Sequence, residues 1–324
     1  MIHTAKFKIK HFSLFITAIL AALTLLSCKA KVVDRSDRVN VICSIFPLYD
    51  WAHSIIGDYD NETTLSLLVK SGVDLHSFQP STTDIVHIST CDIFVYVGGE
   101  SDAWVSDVLK NSTNPNQKVL NLMDILKDYV KEEEIVEGMQ AEAEEPENDE
   151  HVWLSIKNAK IVCQELTKVL CELAPASAAT YQQNLADYLE QLDGVDLSYK
   201  SVIAAAPNKT IIVCDRFPFR YLVDDYGIKY YAAFSGCEAE TEASFETVAF
   251  LANKLKEEKL SAVLILDRSN KKIARTVIAN AKLPHTDIFE LDSMQSTALR
   301  DAFDGKTYIS TMQTNLETLQ KALK

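Results

Sequence analysis

Between Pro175 and Pro207 the chain holds nothing that breaks a helix except Gly194. Tyr181, Leu185, Tyr188, Leu189, Leu192 and Val195 form one apolar stripe at helical spacing, so 176–206 reads as a single amphipathic helix. At about 1.5 Å per residue it is a rod of roughly 45 Å, long enough to span two domains. Any fold for this chain has to place structure at both ends of that rod.

On each side of it, short apolar runs alternate with amphipathic stretches. Before the rod, strands are expected at 39–45, 64–69, 92–97 and 119–122, with helices at 47–56, 81–90, 102–110 and 155–174. Pro47 opens the first helix and Gly57 closes it. Ser81 with Asp84 starts the second as a capping box, and Ser155 caps the fourth. After the rod, strands are expected at 210–214, 229–233, 262–267 and 287–291, with helices at 219–226, 244–258, 270–281 and 307–323. Such alternation implies parallel sheets with crossover helices. A chain of 324 residues with 47% apolar content can build two domains of this α/β kind.

The N-terminal stretch reads as targeting, not fold. Lys6, Lys8 and Lys10 precede the apolar run 12–26, which is shorter than the roughly 20 residues of a spanning helix. It ends in Leu25-Leu26-Ser27-Cys28, which resembles a bacterial lipobox with Cys28 as the lipidated mature N-terminus. Residues 1–27 are then a signal peptide and 28–38 a tether, and the protein is lipid-anchored on the extracytoplasmic side of the cell envelope. The formal charge of −14 argues against nucleic acid as partner and is compatible with a cation as ligand. Of the seven cysteines, Cys43 and Cys91 read as small core residues, and Cys163 and Cys171 as too far apart on one helix to bridge. Exported chains can form disulfides, so a bridge between Cys214 and Cys237 stands beside any metal role for Cys214.

Residues 131–150 interrupt the pattern with a run dominated by glutamate and read as a mobile, solvated loop. His151 lies at its end, against apolar Val152 and Trp153, a setting that suits a metal-binding imidazole. In parallel sheets, ligand groups gather at the carboxyl ends of strands. His76, Cys214 and Asp292 all lie at or just past such ends, so His151, His76, Cys214 and Asp292 form a converging set with two members from each half. His53, His87 and His285 match no motif and read as surface or helix-face histidines.

Gly72-Val73-Asp74-Leu75-His76-Ser77-Phe78-Gln79-Pro80, Asp149-Glu150-His151-Val152-Trp153-Leu154-Ser155, Leu291-Asp292 and the closing stretch 308–319 resemble the solute-binding lipoproteins of bacterial ABC importers for zinc and manganese. The resemblance runs from Val39 to Lys324. It implies two parallel-sheet α/β lobes, 39–175 and 207–324, joined by one long rigid helix at 176–206. It also implies a metal shell of His76, His151, Cys214 and Asp292, and an ABC permease with its ATPase as partners of a monomer. Leu75 and Glu150 stand where those proteins usually carry proline, and the run 131–150 lacks their histidines, so no chaperone role for it is carried over. Their third histidine falls at Cys214, leaving either the Cys214 thiolate or the Asp215 carboxylate as its replacement.

Two imidazoles, a thiolate and a carboxylate suit tetrahedral Zn²⁺, whereas a soft thiolate disfavours Mn²⁺. The expected function is therefore capture of Zn²⁺ between two lobes and delivery to a permease. Manganese or another divalent ion as cargo, and a surface adhesin with structural zinc, are the alternatives. Four protein ligands leave no open position for a catalytic water, and the chain has no His-Glu-x-x-His, phosphate-binding glycine loop or Gly-x-Ser-x-Gly elbow, so no enzyme is expected.

Overall fold

The computed structural model of the protein describes residues 38–324 apart from 59, 71, 141–146 and 237–241. The stretch 1–37 expected to hold a signal peptide and tether, Cys28 expected as the lipidation site, and Cys237, the alternative disulfide partner of Cys214, lie outside the described residues. The unit Val39–Lys324 carries two four-stranded parallel sheets. In the first, β1 (Val39–Cys43), β2 (Thr63–Leu67), β3 (Ile93–Tyr96) and β4 (Lys118–Asn121) lie in the order β2-β1-β3-β4. In the second, β5 (Thr210–Arg216), β6 (Lys229–Phe234), β7 (Ala262–Leu266) and β8 (Asp287–Leu291) lie in the order β6-β5-β7-β8. Each order reverses beside its first strand, so each sheet has a switch point where two strand ends diverge and leave a crevice.

The first sheet is served by α1 (Phe46–Ile56), α2 (Thr82–Thr90), α3 (Val105–Lys110), the one-turn α4 (Leu122–Ile125) and α5 (Ile156–Leu173). The rod is α6, Ala178–Ala205. The second sheet is served by α7 (Arg220–Tyr226), α8 (Phe245–Glu257), α9 (Lys272–Ala281), α10 (Leu299–Phe303) and α11 (Tyr308–Ala322). Caps fall where small polar residues precede the apolar periodicity. The Ser81–Asp84 capping box forms, Ser155 accepts the Asn158 N–H, and Gly227 ends α7 at φ 68°, a conformation costly for residues with a Cβ.

The rod joins the two halves through its aromatic stripe. Near its start the Tyr181 hydroxyl pairs with Thr63 at 2.8 Å, and near its end the Tyr199 hydroxyl donates to the Met312 carbonyl of α11 at 2.7 Å. Tyr188, Leu192, Val195 and Ile203 lie buried between those points. One apolar cluster therefore runs through α1, α5, α6, strands of both sheets, and α11.

The acidic segment departs from the mobile loop expected of it. Its described parts are tied down on the second half of the chain. The Lys131 N–H donates to the Tyr221 hydroxyl at 3.0 Å, Glu134 pairs with Arg220, and the Gln140 N–H donates to Ala233 at 2.9 Å beside β6. Val136 and Met139 pack on the main core. The sparse apolar residues and the opposing basic groups give this strap contacts that its glutamate content hides.

Candidate metal centre

Two short 3-10 turns, Leu75–Ser77 and Val152–Leu154, present the two histidines. The first forms because Asp74 caps it, its carboxylate accepting the His76 N–H at 3.1 Å. The second starts at His151, whose N–H donates to Asp149 Oδ1 at 2.8 Å. Val152, Trp153 and Leu154 are fully buried, and the Trp153 indole N–H donates to the Ser293 carbonyl at 2.8 Å, which fixes the turn against the second half.

The imidazoles meet edge to edge, with Nε2 of His76 3.2 Å from Nε2 of His151. Each ring is held from behind: His76 Nδ1 lies 2.7 Å from Ser101 Oγ, and His151 Nδ1 lies 3.0 Å from Asp149 Oδ1. Burial drives His76 down to about 3, helped by the charge of His151. Burial also opposes a proton on His151, but Asp149, then Glu150 and Glu133, outweigh it and leave that ring raised. The two rings are thus shifted in opposite directions, and His151 is the more basic of the pair. Gly236 closes the far side, where an added Cβ would meet His151 Cε1 at 3.1 Å and the Phe217 carbonyl at 3.0 Å.

Cys214 and His76 line one cleft of about 570 Å³, together with Asp74, Asp215, Arg216, Asp267 and Arg268. The Cys214 side chain, 1% exposed, belongs to the apolar cluster formed by β5, β6, β7, α8 and α9. Burial, then the Asp215 charge, pushes its thiol far up, so it is protonated at neutral pH. Asp292 is held by Lys306 at 2.5 Å through Oδ2 and by the Met294 N–H at 2.8 Å through Oδ1. Burial and the neighbouring Asp292 charge raise Asp267 to about 6. Across the cleft, Asp74 accepts from Arg216 at 2.7 Å and from Gln295 at 2.8 Å.

Of the four residues expected to converge, the structure brings His76 and His151 together and leaves Cys214 in the core and Asp292 on its lysine. Among the described residues, no group of three or more His, Cys, Asp and Glu side chains is arranged to hold a metal ion. Ser101, Gly236 and Lys306 shape the site without any signal in the sequence, because each reaches it from a distant loop. Asp149 and Glu150 stand inside the second motif, but spacing alone gave them no role.

Two parallel sheets bridged by one long helix, with His76 lining the cleft in front of a buried His151, define the fold of a two-lobed solute-binding protein. The family model described as zinc-uptake complex component A, periplasmic, matches residues 41–322, and the chain belongs to that family. It is 27% identical over 303 residues to the zinc-binding protein AdcA of Streptococcus pyogenes, covering 90% of this chain and 57% of that protein. The chain thus spans less than two-thirds of the length of the streptococcal relatives it matches. It is 25% identical over 306 residues to the high-affinity zinc uptake system protein ZnuA of Bacillus subtilis, covering 92% of this chain and 91% of that one. The Zn(II)-bound ZnuA-like domain of Streptococcus pneumoniae AdcA superposes with a TM-score of 0.70 at 24% identity, over 88% of this chain and 99% of the domain.

Proposed function

We propose that the protein captures Zn²⁺ in the cleft and hands it to a membrane permease driven by an ATPase, from an extracytoplasmic, lipid-anchored position. The observation that carries the reading is the distance between the facing imidazole nitrogens. Two Zn–N bonds of about 2.0–2.1 Å at a tetrahedral angle place their nitrogens about 3.3 Å apart, and His76 and His151 hold theirs at 3.2 Å. Both rings have hydrogen-bond partners on the opposite nitrogen, as metal-bound histidines do. The relatives named for zinc binding and zinc uptake support the same cargo. The cargo is bound and released unchanged, so no catalytic step is involved.

In this reading Cys214 and Asp292 complete the shell from the second half of the chain. Cys214 has to turn its sulfur into the cleft and lose its proton, and Asp292 has to leave Lys306. A thiolate beside two imidazoles favours zinc over manganese. The test is chelator competition with Zn²⁺ and Mn²⁺. His76→Ala and His151→Ala should each lower zinc affinity by orders of magnitude. Cys214→Ser should lower it at least about tenfold and narrow the preference over manganese, by loss of a thiolate ligand. Wild-type affinity in either histidine variant refutes the site; wild-type affinity and selectivity in Cys214→Ser remove the thiolate from it.

A further inference from the structure

Glu150 is an anomaly beside the imidazole pair. It is 2% exposed, and its Oε2 has no hydrogen-bond partner. That oxygen lies 4.0 Å from His76 Nδ1. Its Oε1 accepts the Ser101 N–H at 2.9 Å, so the carboxylate holds the residue that carries the Ser101 hydroxyl. The same hydroxyl is the 2.7 Å neighbour of His76 Nδ1. The backbone makes room for this carboxylate: a Cβ on Gly99, at φ +79°, would stand 2.4 Å from Glu150 Oε1.

A buried carboxylate oxygen without a donor is destabilising. The ring nitrogen that faces this oxygen is Nδ1 of His76, a ring that would carry cargo on its other nitrogen. A metal on Nε2 draws electrons from the ring and makes its Nδ1–H a stronger donor, which offsets the strain on the carboxylate in the loaded state. An acceptor at Nδ1 also settles the tautomer, because a proton on Nδ1 leaves the Nε2 lone pair free to face His151.

We propose that Glu150, acting through Ser101, is the positioning residue for His76: it keeps the proton on Nδ1 and so keeps Nε2 ready for cargo. This completes a symmetry in which Asp149 does for His151 directly what Glu150 does for His76 through its hold on Ser101. The inference rests on the zinc reading above. Glu150→Gln leaves the shape nearly unchanged but can place an amide donor where Oε2 stands, which reverses the demand on Nδ1. Ser101→Ala removes the relay, and Ser101→Thr keeps it.

The experiment has one arm without metal and one with it. Long-range ¹⁵N–¹H correlation spectra of the metal-free protein report the His76 tautomer. The wild type and Ser101→Thr should show Nδ1–H, whereas Glu150→Gln and Ser101→Ala should populate Nε2–H. In chelator competition the latter two should bind Zn²⁺ about ten- to a hundredfold more weakly, the usual loss when the outer partner of a metal-bound histidine is removed, and Ser101→Thr should stay near wild type. Retention of the Nδ1–H tautomer, or of wild-type zinc affinity, in Glu150→Gln and Ser101→Ala overturns the positioning role. His76→Ala runs alongside: if it binds zinc like the wild type, the site reading fails and this inference fails with it. If His76→Ala loses zinc while Glu150→Gln does not, only this inference fails.

Discussion

The contact between Asp74 and Arg216 joins the loop that carries His76 to the strand that carries Cys214, and its strength can be measured. Asp74 Oδ2 accepts from Arg216 Nη2 at 2.7 Å and from Gln295 Nε2 at 2.8 Å, while Oδ1 accepts the His76 N–H. The two charged side chains are only 20–21% exposed. Surface ion pairs contribute about 0.2–1 kcal/mol, whereas a sheltered hydrogen bond to a charged group contributes about 1.5–3 kcal/mol. The shelter and the short distances decide for the second range. Asp74→Ala, Arg216→Ala and the double variant form a thermodynamic cycle, read by urea unfolding at pH 7. The expected coupling is about 1.5–3 kcal/mol, and a coupling below about 0.5 kcal/mol refutes the latch.

The pH dependence gives the same prediction a second edge. Burial pushes the Asp74 carboxyl up, but the Arg216 charge and hydrogen bond, with His76, outweigh it and leave it lowered. A carboxyl whose folded pKa lies below its unfolded value stabilises the fold above the unfolded value of about 3.9 and loses that contribution as pH falls through the folded value. The coupling should therefore be undiminished at pH 5. A coupling already lost at pH 5 would show that the carboxylate is not held as the structure places it. Zinc affinity should fall more in Asp74→Ala than in Arg216→Ala, because only Asp74 also caps the turn of His76.

The remaining expectations concern protons and space at the imidazole pair. Between about pH 4.5 and 6, zinc binding should release two protons, one from the raised His151 and one from the buried Cys214 thiol, and none from His76, which is held down to about 3. The log of the affinity should thus rise with pH at a slope of about two in the wild type and about one in Cys214→Ser, measured by chelator competition; a slope near three would mean both rings titrate as free imidazoles. Gly236→Ala should weaken zinc binding, because its Cβ would stand 3.1 Å from His151 Cε1 and push the ring off its line with His76; an unchanged chelator titration would show that the loop yields instead.

The parts of this molecule that local chemistry determines were legible in the sequence. Two parallel sheets and a single long rod follow from periodicity and from the prolines that bound it. The strands and helices from Val39 onward fall within a few residues of where alternation and caps put them. The one-turn helices α4 and α10 were not legible, because one turn carries too few residues to show a period. The acidic strap was misread for a different reason. Composition reports what most of its residues do in water, and its attachment depends on a few of them: Lys131, Glu134, Val136, Met139 and Gln140.

The cleft shows the same division more sharply. That His76 and His151 meet could be read from the sequence because each sits in a motif beside its own turn-forming residues. Cys214 and Asp292 could be placed at strand ends, but a strand end fixes where a residue is and not what its side chain faces. Cys214 alternates inward from β5 into apolar surroundings that hold its thiol neutral, and Asp292 meets a lysine from the turn before α11. An intramolecular ammonium already satisfies that carboxylate, so in the proposed reading cargo displaces one cation to gain another. In that reading the half of the site next to α5 is set before cargo arrives, and the half beyond the rod is rearranged by it. Such an asymmetry would suit the proposed carrier: preset imidazoles for capture, and the return of Lys306 to Asp292 as a favourable way for the second half to let go.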